Sequence, residues 1–340
     1  MTLTHSSAPR GTQPSPVLAK ALSKRFGSVI ALESLDLELR PGEVFGLIGP
    51  NGAGKTTTMR LLLDILRPTS GEARVLGLDP RAGSAGLRRR IGFLPGELRL
   101  EGRITARTAL EQFAAISGPV EPGGIDRLAE RLGLDLGRRV GQLSKGNKQK
   151  LGIIQAFMHR PELLVLDEPT SGLDPLVQQE FLALVGEAAA AGQTVLLSSH
   201  VLSEVERSAD RVGILHRGRL VKVGTVTGLR LTRRRKARAV IAAAPDVVSA
   251  RLALTPPGAD AVVTPVHDGA SVSLDVEDVD AFVKLLAELP LVDLVIVEPP
   301  LEELVLDLYR DAGDPQGERH GERRDERSDD RRGDRRGERA

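Results

Sequence analysis

Four short, almost unbroken aliphatic runs limit what this chain can fold into. They are Val44–Ile48, Leu163–Leu166, Val195–Leu197 and Val212–Leu215. Each has strand length, and helically spaced stretches lie between them. A strand apolar on both faces needs cover on both, which predicts a parallel sheet with helices packed against each side. After Lys55 the apolar positions Met59, Leu62, Leu63 and Leu66 share one helical face, so a covering helix follows the first run. Aromatics are only 2 % of residues, so aliphatic side chains must fill the core.

The 340 residues are too many for one typical domain and suit two. The α/β pattern occupies residues 17–228. A different rhythm follows over 231–311. There Ala239–Ala243 reads as a strand, Val247–Leu254 as a helix, Ala261–Pro265 and Ser271–Leu274 as strands, Val279–Leu289 as a helix and Val292–Val297 as a strand. That β-α-β-β-α-β order is the ferredoxin-like arrangement of a small α+β domain, with a final helix after Pro300. Residues 1–16 are polar with three prolines and read as a disordered lead. Residues 312–340 mix Arg with Asp and Glu and hold almost no apolar side chain, which predicts a disordered tail. A basic arm for nucleic acid is the alternative there, but its acids balance its arginines.

The whole chain carries a formal charge of +1, which gives no electrostatic case for nucleic acid. Without cysteine there are no disulfides and no thiolate metal sites. No stretch reaches the roughly 18 apolar residues needed to span a bilayer. The expectation is a chain soluble by itself, whose membrane role, if it has one, runs through a partner.

Directly after the first aliphatic run comes Gly49-Pro-Asn-Gly-Ala-Gly-Lys-Thr56, which matches G-x-x-x-x-G-K-[ST]. The residues from Gly49, Pro50, Asn51, Gly52, Ala53 and Gly54 to Lys55, Thr56 and Thr57 lie between a strand and a helix. Glycines let backbone N–H groups wrap closely around phosphates, and the helix N-terminus adds favourable charge. Lys55 then reaches the outer phosphates, and the Thr56 hydroxyl binds Mg²⁺. A Gly-rich turn with an incidental lysine is the bland alternative. The second run ends in Asp167 and Glu168, at the strand end where α/β sheets bind ligands. Asp167 would hold Mg²⁺ through water, and Glu168 would polarise an attacking water. A helix cap is the alternative for such a carboxylate pair.

With these motifs in order, the chain resembles the nucleotide-binding subunit of an ATP-binding cassette (ABC) transporter over about Val17–Thr225. Phe26, in Arg25-Phe-Gly27, matches the aromatic that stacks on adenine, with core packing as its alternative. Leu143-Ser-Lys-Gly-Asn147 matches the family signature usually written LSGGQ, with Ser144 and Gly146 at the positions that bind phosphate. Ser144 as a simple helix cap is the plainer reading. Ser171-Gly-Leu-Asp174 matches the D-loop. His200, in Ser198-Ser-His200, matches the histidine that contacts the γ-phosphate, against a purely structural histidine. One motif departs: Gly96, followed by Glu97, stands where the family usually has a glutamine that helps bind Mg²⁺ and couples to the membrane subunit.

The resemblance implies a P-loop NTPase fold with a mostly parallel sheet and a helical subdomain. It implies ATP and Mg²⁺ as ligands and Glu168 and His200 as catalytic groups. It also implies composite sites, in which Ser144 and Gly146 of a second copy close over the phosphates held by the first. The implied partners are that second copy and a separate multi-helix permease, at the cytoplasmic face of the membrane. A single cassette with a small C-terminal domain resembles the ATPase subunits of drug- and antibiotic-type exporters. A soluble ABC ATPase acting on ribosomes or DNA, or an importer ATPase with a regulatory domain, are the other readings.

Overall fold

The computed structural model describes residues 14–82, 85–98, 101–231, 235–253, 261–267, 269–276, 278–297 and 301–311. The chain divides into two units between Leu229 and Arg230. The expected disordered tail over 312–340 and residues 1–13 of the expected lead lie outside the described residues. At the end of the lead, Ser15 donates to Glu38 Oε1 at 2.5 Å and Pro16 O accepts from Leu76 N at 2.8 Å.

The first unit is built on a six-stranded sheet. In chain order its strands are β3 (Val44–Ile48), β5 (Ile91–Leu94), β6 (Leu163–Asp167), β7 (Thr194–Ser199), β8 (Arg211–His216) and β9 (Arg219–Thr225), and in space they run β5-β6-β7-β3-β8-β9. All pairs are parallel except β8–β9. The four aliphatic runs are therefore four neighbouring central strands. Every residue of β3, β6 and β7 is buried, as a sheet covered on both faces requires. Helices α1 (Lys55–Leu62), α6 (Pro175–Ala190) and α7 (Leu202–Ser208) pack against it. A second, antiparallel sheet of order β2-β1-β4 is formed by β1 (Val17–Phe26), β2 (Val29–Leu39) and β4 (Ser70–Val75). Its Leu22, Leu32, Leu35, Leu39 and Val75 join Met59, Leu61 and Leu62 of α1 and Phe45 and Leu47 of β3 in one core cluster. Between β5 and β6 the chain inserts α3 (Ala106–Ser117), α4 (Gly124–Leu132) and α5 (Lys145–Phe157), the helical subdomain, with α2 (Ala85–Arg89) ahead of β5.

The helix after Lys55 is shorter than its apolar spacing predicts. It stops at Leu62, because Asp64 turns left-handed (φ 54°) and the N–H groups of Ile65 and Leu66 both close onto Arg60 O. Leu63 and Leu66 still pack against the core, from beyond the helix end.

The division between the units falls near the end of α8 (Val226–Leu231). The second unit runs β10 (Arg235–Ile241), α9 (Pro245–Ala253), β11 (Val262–Val266), β12 (Gly269–Val276), α10 (Val279–Leu286), β13 (Leu291–Val297) and α11 (Leu301–Asp311). Its antiparallel sheet has the order β11-β12-β10-β13, the ferredoxin-like arrangement read from the sequence. The first strand starts at Arg235 rather than Ala239, because Ala237 already points into the core between exposed Lys236 and Arg238. Ala239, Ile241, Val272, Leu274, Phe282 and Leu286 form an apolar core between one sheet face and the helices.

Candidate functional site

β3 ends at Ile48 and α1 starts at Lys55, so the Gly49–Thr56 motif is the turn between them. The tightness of the turn fixes two of its glycines. A Cβ on Gly49 would sit 2.4 Å from Leu215 O, and one on Gly54 would sit 2.7 Å from Ala31 O, where φ is also +111°. Pro50, Asn51 and Gly52 are exposed at the crest, Ala53 is buried, and Thr56 and Thr57 are half-buried on the first turn of α1. Lys55 is buried and folds back over the loop. Its Nζ donates to Gly49 O at 2.6 Å and Pro50 O at 3.3 Å, and lies 3.3 Å from Glu168 Oε1. The loop carbonyls and one carboxylate satisfy the buried ammonium.

β6 delivers the two carboxylates. Asp167 is its last residue, 2 % exposed, and its Oδ1 accepts from Ser198 Oγ at 2.7 Å. The same Ser198 oxygen accepts from Glu168 N at 3.0 Å. Ser198 belongs to the neighbouring strand β7, so strand pairing places this hydroxyl. Glu168 has left-handed backbone, φ +48°, directly before Pro169. That conformation costs a non-glycine residue about 1–3 kcal/mol and must be held by its surroundings. Its N–H is held by Ser198. Its C=O accepts from Gln149 Nε2 at 3.3 Å, and Pro169 O accepts from the same nitrogen at 2.8 Å. The twist turns the carboxylate towards Lys55 on one side and His200 on the other, with His200 Nδ1 at 2.5 Å from Oε2.

The structure thus brings Lys55, Asp167, Glu168 and His200 to the same end of the sheet. Phe26 closes β1 and is 47 % exposed, so it lies outside the core, and Lys24 Nζ sits 4.9 Å from one face of its ring. Ser144 caps α5, accepting from Asn147 N at 3.3 Å. Gly146 lies so close to the 171–174 loop that a Cβ would come within 2.7 Å of Gly172 O, and Lys145 Nζ reaches Ser171 Oγ at 3.3 Å. Asp174 ends that loop and caps α6, accepting from Leu176 N and Val177 N. Gly96 lies against the carboxylates: a Cβ there would be 3.2 Å from Asp167 Oδ2.

Three residues with no role assigned from sequence belong to this network. Ser198 joins the two carboxylate residues, and Gln149 holds the Glu168–Pro169 backbone. Glu204 on α7 accepts from Thr170 Oγ1 at 2.7 Å and Ser199 Oγ at 3.2 Å. A signal for Gln149 exists: it shares a helical face with Gly152, Ile153 and Ala156, all buried.

Comparison with known proteins places the chain among relatives of one family. A family model described as ABC transporter matches residues 32–171. The probable multidrug ABC transporter ATP-binding protein YbhF of Escherichia coli is 37 % identical over 217 residues, covering 62 % of this chain and 37 % of that protein. The chain thus spans well under half the length of that relative. The bacitracin transport ATP-binding protein BcrA of Bacillus licheniformis is 40 % identical over 204 residues, covering 59 % of this chain and 67 % of that protein. A solved structure of the ATP-binding subunit of an ABC transporter superposes with a TM-score of 0.60 at 32 % identity, covering 64 % of this chain and 93 % of the other.

Proposed function

The chain belongs to the ABC transporter family, and from that premise we propose that it is the ATP-hydrolysing subunit of an exporter, working as two copies beneath a separate permease. The observation that carries the chemistry is the convergence of Lys55, Glu168 and His200 beside the glycine loop. The loop N–H groups and Lys55 bind the phosphates. Glu168 takes the proton of the water that attacks the γ-phosphoryl group. With Nδ1–H donated to Glu168, His200 keeps Nε2 for the phosphate, where it donates when the ring is protonated. Phe26 stacks on the adenine, and Ser144 and Gly146 of the second copy complete the phosphate shell.

The residues fit a magnesium ion. The Thr56 hydroxyl and the Asp167 carboxylate are hard oxygen donors. Ser198 takes only Oδ1 of Asp167, while the bare Cα of Gly96 faces Oδ2. Bound there with ATP, Mg²⁺ would neutralise phosphate charge.

Support for a permease partner is of two kinds. Among the described residues no helix is long and apolar enough to cross a membrane, so in this reading the membrane path belongs to another subunit. Beside β5, the strand that leads to Gly96, an apolar groove of about 200 Å³ is lined by Leu62, Leu63, Ile65, Leu87, Ile91 and Phe93. It offers a partner helix an apolar seat on the cytoplasmic side. The names of the relatives, multidrug and bacitracin transport, favour export. Glu168→Gln is the test: ATP binding stays and turnover falls at least about a hundredfold. Ordinary ATPase activity in that variant removes Glu168 as the base.

A further inference from the structure

Gln149 is a buried amide in the middle of the site's frame. It is 4 % exposed and sits on the second turn of α5, whose cap is Ser144 and whose first turn carries Gly146. Its Nε2 is the hydrogen-bond donor to both Glu168 O and Pro169 O. On the other side of the same residue, Ser198 Oγ accepts from Glu168 N. The left-handed backbone of Glu168 is thereby gripped at its N–H from a strand and at its C=O from the signature helix. The residue whose carboxylate activates the attacking water is clamped by two side chains, Gln149 on α5 and Ser198 on β7, neither of which belongs to the strand that delivers it.

We propose that Gln149 is a positioning residue for hydrolysis: it fixes Glu168 in the twisted backbone that aims its carboxylate, and it ties that aim to the seating of the signature helix. This rests on the two-copy ATPase reading above. Ser144 and Gly146 of one chain meet the phosphates held by its partner. Gln149, one turn further along the same helix, acts on the Glu168 of its own chain. The first turn of α5 also abuts the 171–174 loop through Gly146 against Gly172 and Lys145 against Ser171. Seating a signature on the partner's nucleotide therefore loads the backbone of the carboxylate at the chain's own nucleotide. With Gln149 in place the two composite sites are joined by one amide; without it the carboxylate loses its aim while both phosphate shells stay intact.

The full chain is purified unmodified, as Gln149→Met, which keeps side-chain length without donors, and as Gln149→Asn, which is one methylene too short to reach both carbonyls. Three quantities are read: kcat for ATP hydrolysis, affinity for a non-hydrolysable ATP analogue, and ATP-driven pairing of two chains in a Glu168→Gln background. The expected result is a kcat at least about tenfold lower, with analogue affinity within about twofold and pairing unchanged. A brace for the fold alone would lower affinity and pairing along with kcat, and that pattern overturns the proposal. A kcat within about twofold of the unmodified chain also overturns it. If Gln149→Met does not fold, Gln149→Asn decides by the same criteria. An unmodified chain that binds nucleotide but never hydrolyses it overturns the ATPase reading and this inference together, whereas normal hydrolysis by the Gln149 variants overturns this inference alone.

Discussion

The two units bury their polar side chains very differently. In the first, Lys55, Gln149, Asp167, Thr170, Ser198 and Ser199 are all buried, and each bonds within or next to the 167–170 segment, Ser199 through Glu204. In the second, Ser271 is the buried polar side chain among the described residues, and the core is otherwise Ala, Val, Leu, Ile and Phe. Taking a polar group from water costs several kcal/mol unless it is bonded, so a cluster of them marks a place where something other than stability is served. By that measure the first unit holds the chemistry. The second is held together by packing.

The widest separation should appear on cutting into the apolar core of the second unit. Phe282 is fully buried there on α10, among Val248, Leu252, Val272 and Leu286. Phe282→Ala should destabilise that unit by about 3–5 kcal/mol, from lost burial and the cavity left behind. Calorimetry should show the second unit's transition at lower temperature while ATP hydrolysis stays within about twofold. If hydrolysis falls in step with that transition, the division of labour between the units is wrong.

The contrast also explains what could be read in advance. The apolar runs of β3, β6, β7 and β8 were legible because burial on both faces leaves no polar residue to blur them. The glycine loop was legible because a Cβ at Gly49 or Gly54 would come within 2.4 or 2.7 Å of a backbone oxygen, which leaves room for glycine alone. The sheet of β1, β2 and β4 was not, because it buries one face only and register shifts break its alternation. The start of β10 was hidden by Arg235, Lys236 and Arg238 on its outer face. Within the site, residues that touch nucleotide carry motifs, but residues that hold those residues do not. Gln149 is set apart from Lys148 and Lys150 only by the apolar helical face it shares with Gly152, Ile153 and Ala156, and nothing local announces that Glu168 turns left-handed.

A smaller effect comes from Ser198, where stability and chemistry overlap. Ser198→Ala removes one partner from Asp167 Oδ1 and from Glu168 N together. Leaving buried groups unsatisfied should cost the first unit about 1–3 kcal/mol, and Glu168 loses one of the two grips on its backbone. Turnover should fall more than nucleotide affinity does. A variant as active as the unmodified chain would show that strand pairing alone orients the carboxylates, and the buried polar cluster would lose one of its reasons to exist.

The smallest expected effect tests His159, a half-buried ring of the first unit that lies outside this cluster. Burial holds His159 below its ordinary pKa of 6.5, against the opposing pull of backbone groups of Ile91 and Gln155. The fold therefore favours the neutral ring, and the unfolded chain binds the proton more readily. Stability from this source is complete above the ordinary histidine value and is lost as pH falls from there through the lowered value of the folded ring. Glu162 and Glu187 also favour their charged forms in the fold, through Arg90 and Arg131, but from an ordinary value of 4.5, so their loss belongs to a lower pH. The unfolding temperature of the first unit should thus decline as pH drops from about 7.5 to about 5.5, and His159→Gln should flatten that decline while leaving the second unit's transition where it was. An equally steep decline in the variant would move the acid sensitivity to another group, and the first unit would then bury one fewer ionisable side chain at a cost than its structure implies.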